Sequence, residues 1–220
     1  MKYQKLFYIL MFSPLVVSVI ALCFLPDFIP AHYNLKNTVD RWGSKYELLI
    51  FPIITILFGQ FLLLLGKMAK KQKTQGNNNE KMSLIIGNCS LLIFNILSGI
   101  MIYSSVTKAE NLSFFSLEFG QMIFLIIGVV FIILGNIMPK LKMNSVLGFR
   151  TKWSMKNDEV WKKCQKVSGM TTRISGIMIM ILSFHFHHST LPTLVVITML
   201  LSLMIDILYS YQVAKSKTIL

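Results

Sequence analysis

The sequence predicts an all-α membrane protein with six transmembrane helices, N- and C-termini in the cytoplasm, and a short amphipathic cytoplasmic helix between helices four and five. Three observations carry that prediction. Of the 220 residues, 54% are hydrophobic and only 14% charged, whereas an ordinary soluble domain has about a quarter charged. Six apolar runs each approach the ~20 residues needed to cross ~30 Å of hydrocarbon. Basic residues, finally, are concentrated in alternate connections between those runs.

The runs are Leu6–Leu25, Leu48–Leu65, Ser83–Tyr103, Phe119–Met138, Gly169–Phe186 and Leu191–Tyr211. The first follows Lys2 and Lys5 as a signal peptide would. Its apolar stretch is long for that role and no A-x-A-like cleavage site follows, so it is read as a retained helix. The fifth is the least apolar, with Arg173 in its first turn and histidines at its end. Of the 22 Lys and Arg residues, 18 lie on one side: 17 before run one, between runs two and three, between runs four and five, or in the tail, and Arg173 in the first turn of run five. Only Lys36, Arg41, Lys45 and Lys108 fall on the other side. Positive charge stays inside, which sets both termini in the cytoplasm. The net charge of +13 is thus a topology signal rather than a nucleic-acid signature. Such a face also suits anionic lipids of the inner leaflet.

Three regions are expected: an N-terminal transmembrane hairpin over 1–66, a polar cytoplasmic linker over 67–81, and a four-helix region over 82–220. The linker, "KMAKKQKTQGNNNEK", has no apolar periodicity. Cys23, Cys89 and Cys164 fall in different environments, which argues against a disulfide framework. No P-loop, dinucleotide-binding glycine pattern, HExxH or GxSxG occurs, and no cofactor is expected.

Polar and small residues within the runs read mainly as packing devices. Asn88 and Asn95 lie on one face of run three, Gly120, Gly128 and Gly135 form a near-heptad ridge in run four, and Thr172 and Gly176 are a small-xxx-small pair in run five. Arg173 and Asp206 lie at similar depth from the same membrane boundary, which predicts an ion pair between helices five and six. His185, His187 and His188 are a weak metal candidate, since no Cys or carboxylate stands beside them.

Two connections look specific. The first, "PDFIPAHYNLKNTVDRWGSK", has Pro26 and Pro30 to stiffen its start and Asn37 and Gly43 to turn it. Asp27, His32, Asp40, Ser44 and Lys45 are candidates for an external ligand site or for acid–base work, against the plainer reading of a hydrogen-bonded cap. The second is "GFRTKWSMKNDEVWKKCQK". Asn157 is a helix N-cap, with Asp158 and Glu159 in the first turn. Val160, Trp161, Cys164 and Val167 form an apolar stripe opposite Lys162, Lys163 and Lys166, as in a helix lying on the membrane surface or docking a partner.

Gly135 to Gly169, "GNIMPKLKMNSVLGFRTKWSMKNDEVWKKCQKVSG", resembles the SdpI family of bacterial membrane immunity proteins at Gly135, Asn136, Pro139, Lys140, Asn144, Gly148, Arg150, Thr151, Trp153, Ser154, Glu159, Val160 and Trp161. The first connection is similar to the small domain of unknown function that often precedes that region, at Pro26, Asp27, Ile29, Pro30, His32, Asp40, Ser44 and Lys45. Lys152 stands where the family usually has proline, and Asn37 where it has glycine. The resemblance implies a polytopic plasma-membrane protein that protects a bacterium from a secreted antimicrobial or toxin peptide. It also implies a small cytoplasmic repressor as a candidate partner, with Pro139, Asn144, Gly148, Arg150, Thr151, Trp153, Glu159 and Trp161 as its cytoplasmic motif. No direct nucleic-acid contact is expected. The alternative reading is a membrane-embedded enzyme or lipid-modifying factor using the outer His/Asp cluster.

Overall fold

A computed structural model describes residues 2–34, 37–70, 78–114, 117–144 and 146–216. Six helices dominate: α1 (Lys2–Leu22), α2 (Ile50–Lys70), α3 (Asn78–Thr107), α4 (Phe119–Ile137), α5 (Asp158–His185) and α6 (Thr190–Ser216). All six are long and apolar enough to cross a membrane. Each predicted run has its own helix, and the polar ends continue several of them. At 28 residues, α5 is about 42 Å long, more than a ~30 Å core needs. Its surplus is the stretch expected to be a separate amphipathic helix, which is instead the first turns of α5. Likewise, 67–70 and 78–81 of the expected linker are helical, while 71–77 lie outside the described residues.

The chain packs as two compact units. One comprises Met1–Leu64 and Leu84–Met122, the other Leu65–Ser83 and Ile123–Leu220. The packing divisions fall within α2, α3 and α4. Lipid would cover what is left outward: on α6, Val196, Leu200, Leu203 and Leu208 are all exposed, the pattern of helices whose apolar surface meets hydrocarbon rather than a core.

In the first unit α1 lies against α3, with Phe7, Met11 and Leu91 buried among Leu10, Ile56, Phe58 and Leu62. Pro14 sits inside α1. Having no N–H, it leaves the Leu10 carbonyl without its helical donor. Asn95 supplies one: its Nδ2 donates to Leu10 O at 2.8 Å and to Leu91 O at 2.8 Å, while Ser13 Oγ donates to its Oδ1 at 2.7 Å. Seven residues earlier, Asn88 Nδ2 donates to Tyr3 O at 3.0 Å. The asparagine face of run three thus serves as packing glue. In hydrocarbon no water is present to serve a carbonyl without such a partner.

The same unit carries β-structure that apolar periodicity did not reveal. Strands β1 (Phe28–Tyr33) and β2 (Val39–Ser44) pair antiparallel, followed by a 3₁₀ turn over Lys45–Leu49. The short strands β3 (Ser113–Phe114) and β4 (Leu117–Glu118) form a second hairpin. Thr38 bridges to Asn111, Val39 N–H donates to Glu110 O at 3.0 Å, and Tyr33 Oη donates to Ala109 O at 2.7 Å. Burial raises the Tyr33 phenol above its ordinary pKa, so it remains a donor. Beneath the hairpin, Leu25, Ile29 and Leu48 are buried against Ala21, Met101 and Ile102.

In the second unit α4 and α5 meet through backbone. A Cβ on Gly135 would stand 2.5 Å from Gly169 O, and one on Gly128 2.8 Å from Gly176 O. The reciprocal distances from Gly169 and Gly176 to the carbonyls of Gly135 and Gly128 are both 2.6 Å. Two glycines seven apart on each helix therefore allow an approach that any side chain would block. Helices α5 and α6 form a hairpin around Ile179, Leu191 and Val195.

Candidate functional site

The β1–β2 hairpin owes its shape to local chemistry. Asn37 turns the chain at φ 61°, a conformation that Asn tolerates well among residues with side chains. Pro30 brings no N–H to the ladder, and the register shifts between Pro30 and His32 and again between His32 and Tyr33, a bulge of the kind that re-aims side chains. His32 Nδ1 then meets Asp40 Oδ1 at 2.6 Å. At the base, Lys45 Nζ lies 3.0 Å from Asp27 Oδ1, and Lys45 N–H donates to Asp27 O at 3.0 Å. Ser44 caps the 3₁₀ turn through a long contact of 3.5 Å from Tyr46 N–H. Pro26 lies just before β1.

Sequence reading missed one part of this network. Arg41 Nη1 and Nη2 donate to Glu47 Oε1 and Oε2 at 3.1 and 2.8 Å, and Gly43 leaves room for Glu47, whose carboxylate a Cβ would strike. The signal was the opposite charge six residues on, across a turn then read only as a loop. The polar cluster is open to solvent: the His32 and Asp40 side chains are 62% and 42% exposed. Phe24, Phe28, Trp42 and Tyr46 stand exposed around it, an aromatic set suited to a membrane–water boundary. Alongside lies a cleft of about 400 Å³ lined by Thr38, Val39, Trp42, Glu110 and Asn111.

The 141–157 loop is built differently. Asn144 is buried and closes its own turn, accepting from Val146 N–H at 2.8 Å and Leu147 N–H at 2.6 Å and donating to Lys142 O at 2.8 Å. Gly148 has φ 94°, and a Cβ there would meet Gln165 Oε1. Gln165 serves both backbone groups of Phe149, donating to its carbonyl at 2.7 Å and accepting from its N–H at 3.1 Å. Ser154 Oγ accepts from Thr151 N–H at 2.8 Å, and Thr151 Oγ1 lies 3.2 Å from Ser210 Oγ on α6. Asn157 caps α5 by accepting from Val160 N–H at 2.9 Å. Lys156 Nζ donates to Ala214 O at 2.8 Å, satisfying a carbonyl near the end of α6.

Trp161 corrects the expectation of a membrane-surface helix. It is 1% exposed, and its Nε1 donates to Leu141 O at 2.9 Å. Val160 and Cys164 pack with Ala214, beside Trp153, Tyr209 and Val213. The apolar stripe therefore faces the protein, because α5 already has α6 and the loop available to cover it. Trp153 is the more open tryptophan, edge-on to Tyr211 at 5.4 Å with Lys152 Nζ 5.2 Å from its ring centre. Pro139 lies in a 3₁₀ turn, Met138–Lys140, after α4. Arg150 is exposed, and Glu159 pairs with Lys163 at 3.4 Å.

Arg173 and Asp206 do not pair. Asp206 Oδ1 accepts from Thr171 Oγ1 at 2.9 Å, whereas Arg173 Nη1 donates to Asn136 Oδ1 of α4 at 3.1 Å. Residues 171 and 173 are about 200° apart around a helix, so it is Thr171 that meets Asp206 on α6 while Arg173 turns to α4. The histidines do not converge either. His185 Nδ1 lies 2.9 Å from Ile181 O, His187 and His188 stack edge-on, and among the described residues no three metal-ligating side chains gather.

Both specific segments have counterparts in known proteins. Residues 140–210 match the profile of the SdpI/YfhL protein family, and residues 9–56 match a domain of unknown function, DUF1648. The chain is similar to "Immunity protein SdpI" of Bacillus subtilis (strain 168), with 26% identity over 201 residues, 91% of this chain and 90% of the relative. No solved structure matches it. The DUF1648 match contains the β1–β2 hairpin, and the SdpI/YfhL match contains the 141–157 loop, α5 and most of α6. The chain is a multi-pass bacterial plasma-membrane protein in which a segment similar to DUF1648 precedes a region similar to the SdpI/YfhL family.

Proposed function

We propose that this protein confers immunity on the bacterium that carries it, protecting it from a secreted membrane-active peptide. The observation that carries the reading is similarity to an immunity protein along nine-tenths of both chains. Both termini and the 141–157 loop face the cytoplasm, and the β1–β2 hairpin faces outward, a reading supported by the partition of basic residues. The outward hairpin is where a toxin peptide is met. His32, Asp40, Asp27 and Lys45 offer exposed polar groups, and Phe28 and Trp42 offer apolar surface beside them. The loop is the inner element, where Arg150 and Trp153 are the accessible contacts for a small repressor.

A killing assay tests the protective role. Sensitive cells with and without this chain meet candidate secreted peptides, and survival should rise only with the chain. His32→Ala with Asp40→Ala should reduce survival at unchanged membrane abundance. Cysteine labelling on a Cys-free background tests orientation: Ser44→Cys should react from outside and Lys163→Cys only after permeabilisation. The oriented His32–Asp40 dyad favours one second reading, an enzyme acting at the outer boundary. Turnover of a lipid or peptide by purified protein, lost in His32→Ala, would select it.

A further inference from the structure

We propose that a cleft between the end of α4 and the start of α5 seats the phosphate of an anionic phospholipid headgroup. The cleft has a volume of about 380 Å³, with Lys140, Lys142 and Lys162 on its walls. Asp158 is its one carboxylate, so the lining keeps a net positive charge. Pro139 and Met143, over the buried Leu141 and Trp161, give it an apolar side, suited to the glycerol and ester region that adjoins a phosphate. It is a built feature. The Trp161 indole N–H is already used on Leu141 O, which locks the apolar side in place. Asn79 of α3 clamps the Lys142 backbone twice, accepting from its N–H at 3.1 Å and donating to its carbonyl at 3.2 Å. The Lys142 side chain therefore leaves from a fixed point.

Position selects lipid over an acidic peptide. Lys140 is the last residue of the fourth candidate span, so the cleft opens where hydrocarbon gives way to headgroups. Lysine ammonium groups meet phosphate as point charges, and each near an anionic surface changes affinity by about fivefold. The inference does not depend on the protective role.

Native mass spectrometry of the full chain from mixed micelles tests it, comparing retention of phosphatidylglycerol and phosphatidylcholine. The unaltered chain should retain phosphatidylglycerol preferentially. Lys142→Gln with Lys162→Gln should lower that preference by roughly tenfold or more, and Lys142→Arg with Lys162→Arg should keep it. Lys166→Gln with Lys215→Gln removes the same charge outside the cleft and should leave the preference intact. Equal loss in both Gln pairs would reduce the effect to a generally basic surface and overturn the assignment. Displacement of the lipid by inorganic phosphate at equal concentration would reassign the cleft to free phosphate. Retention of an acidic peptide but of neither lipid would reassign it to a protein ligand.

Discussion

The β1–β2 hairpin and the 141–157 loop both connect membrane helices and both are rich in charge, yet they are held by opposite means. The hairpin puts its polar side chains in water: His32–Asp40, Arg41–Glu47 and Lys45–Asp27 all lie at least partly exposed. Its fold rests on the backbone ladder and on Ile29 and Leu48 beneath. The loop has little regular backbone pairing. It is held from inside by Asn144, Gln165, Ser154 and Trp161, all essentially buried, each binding a main-chain group. Exposed pairs contribute little to stability because water competes for them. Buried side-chain–backbone bonds leave an unsatisfied group behind when broken. Side chains that can be removed cheaply are the ones free to meet a ligand, so the hairpin is the adaptable element and the loop the rigid one.

The strongest way to break this contrast is Trp161→Ala. It removes a buried indole and a hydrogen bond together, and should destabilise the second unit by about 3–5 kcal/mol, read as a large fall in unfolding temperature in detergent and in membrane abundance. A fully folded variant would mean that the loop is not built on this residue. Gln165→Leu comes next. It strands the N–H of Phe149, while the carbonyl keeps only the longer 3.2 Å bond from Ser154 Oγ; the loss should be about 1–3 kcal/mol and should make the chain near Gly148 sensitive to limited proteolysis.

A smaller effect sharpens the comparison within the first unit. Asn95→Leu should cost about 1–2 kcal/mol by orphaning Leu10 O. Pro14→Ala returns a helical N–H to that carbonyl, so Asn95→Leu should cost less in the Pro14→Ala background. Additive unfolding free energies in that double-mutant cycle would mean that Asn95 does not replace the missing donor. The smallest expected change is from His32→Ala, which should leave the unfolding temperature unaltered within error while lowering survival against the peptide. A marked loss of stability would show that the dyad holds the hairpin rather than serving a ligand.

The two regions also differ in how much of them was legible in advance. In the loop, the Asn157 cap and the apolar stripe were readable because helix caps and 3.6-residue periodicity are local. What covers the stripe was not, since a Trp on an amphipathic helix looks the same whether lipid or protein lies opposite. In the hairpin, Asn37 announced a left-handed turn, but the strands hid in a segment broken by proline and bulge, with no clean alternation. Gln165, Asn79 and Thr171 escaped notice because a polar residue in a helix says nothing of the distant carbonyl or hydroxyl it serves.

By itself the sequence determined the six helices, because each run must satisfy its own backbone within hydrocarbon and apolar length suffices to mark it. It also carried the asparagine face of α3 and two of the three α4 glycines, Gly128 and Gly135, which depend on spacing along one helix; Gly120 meets no neighbour. Only tertiary structure decided which partner each polar group takes. Asp206 binds Thr171 and not Arg173, and Arg173 turns to Asn136 on α4. Depth in the membrane is a linear quantity that counting residues can supply. Facing is an angle between helices, set by the close approach of Gly135 to Gly169 and Gly128 to Gly176, and it exists only once the helices have packed.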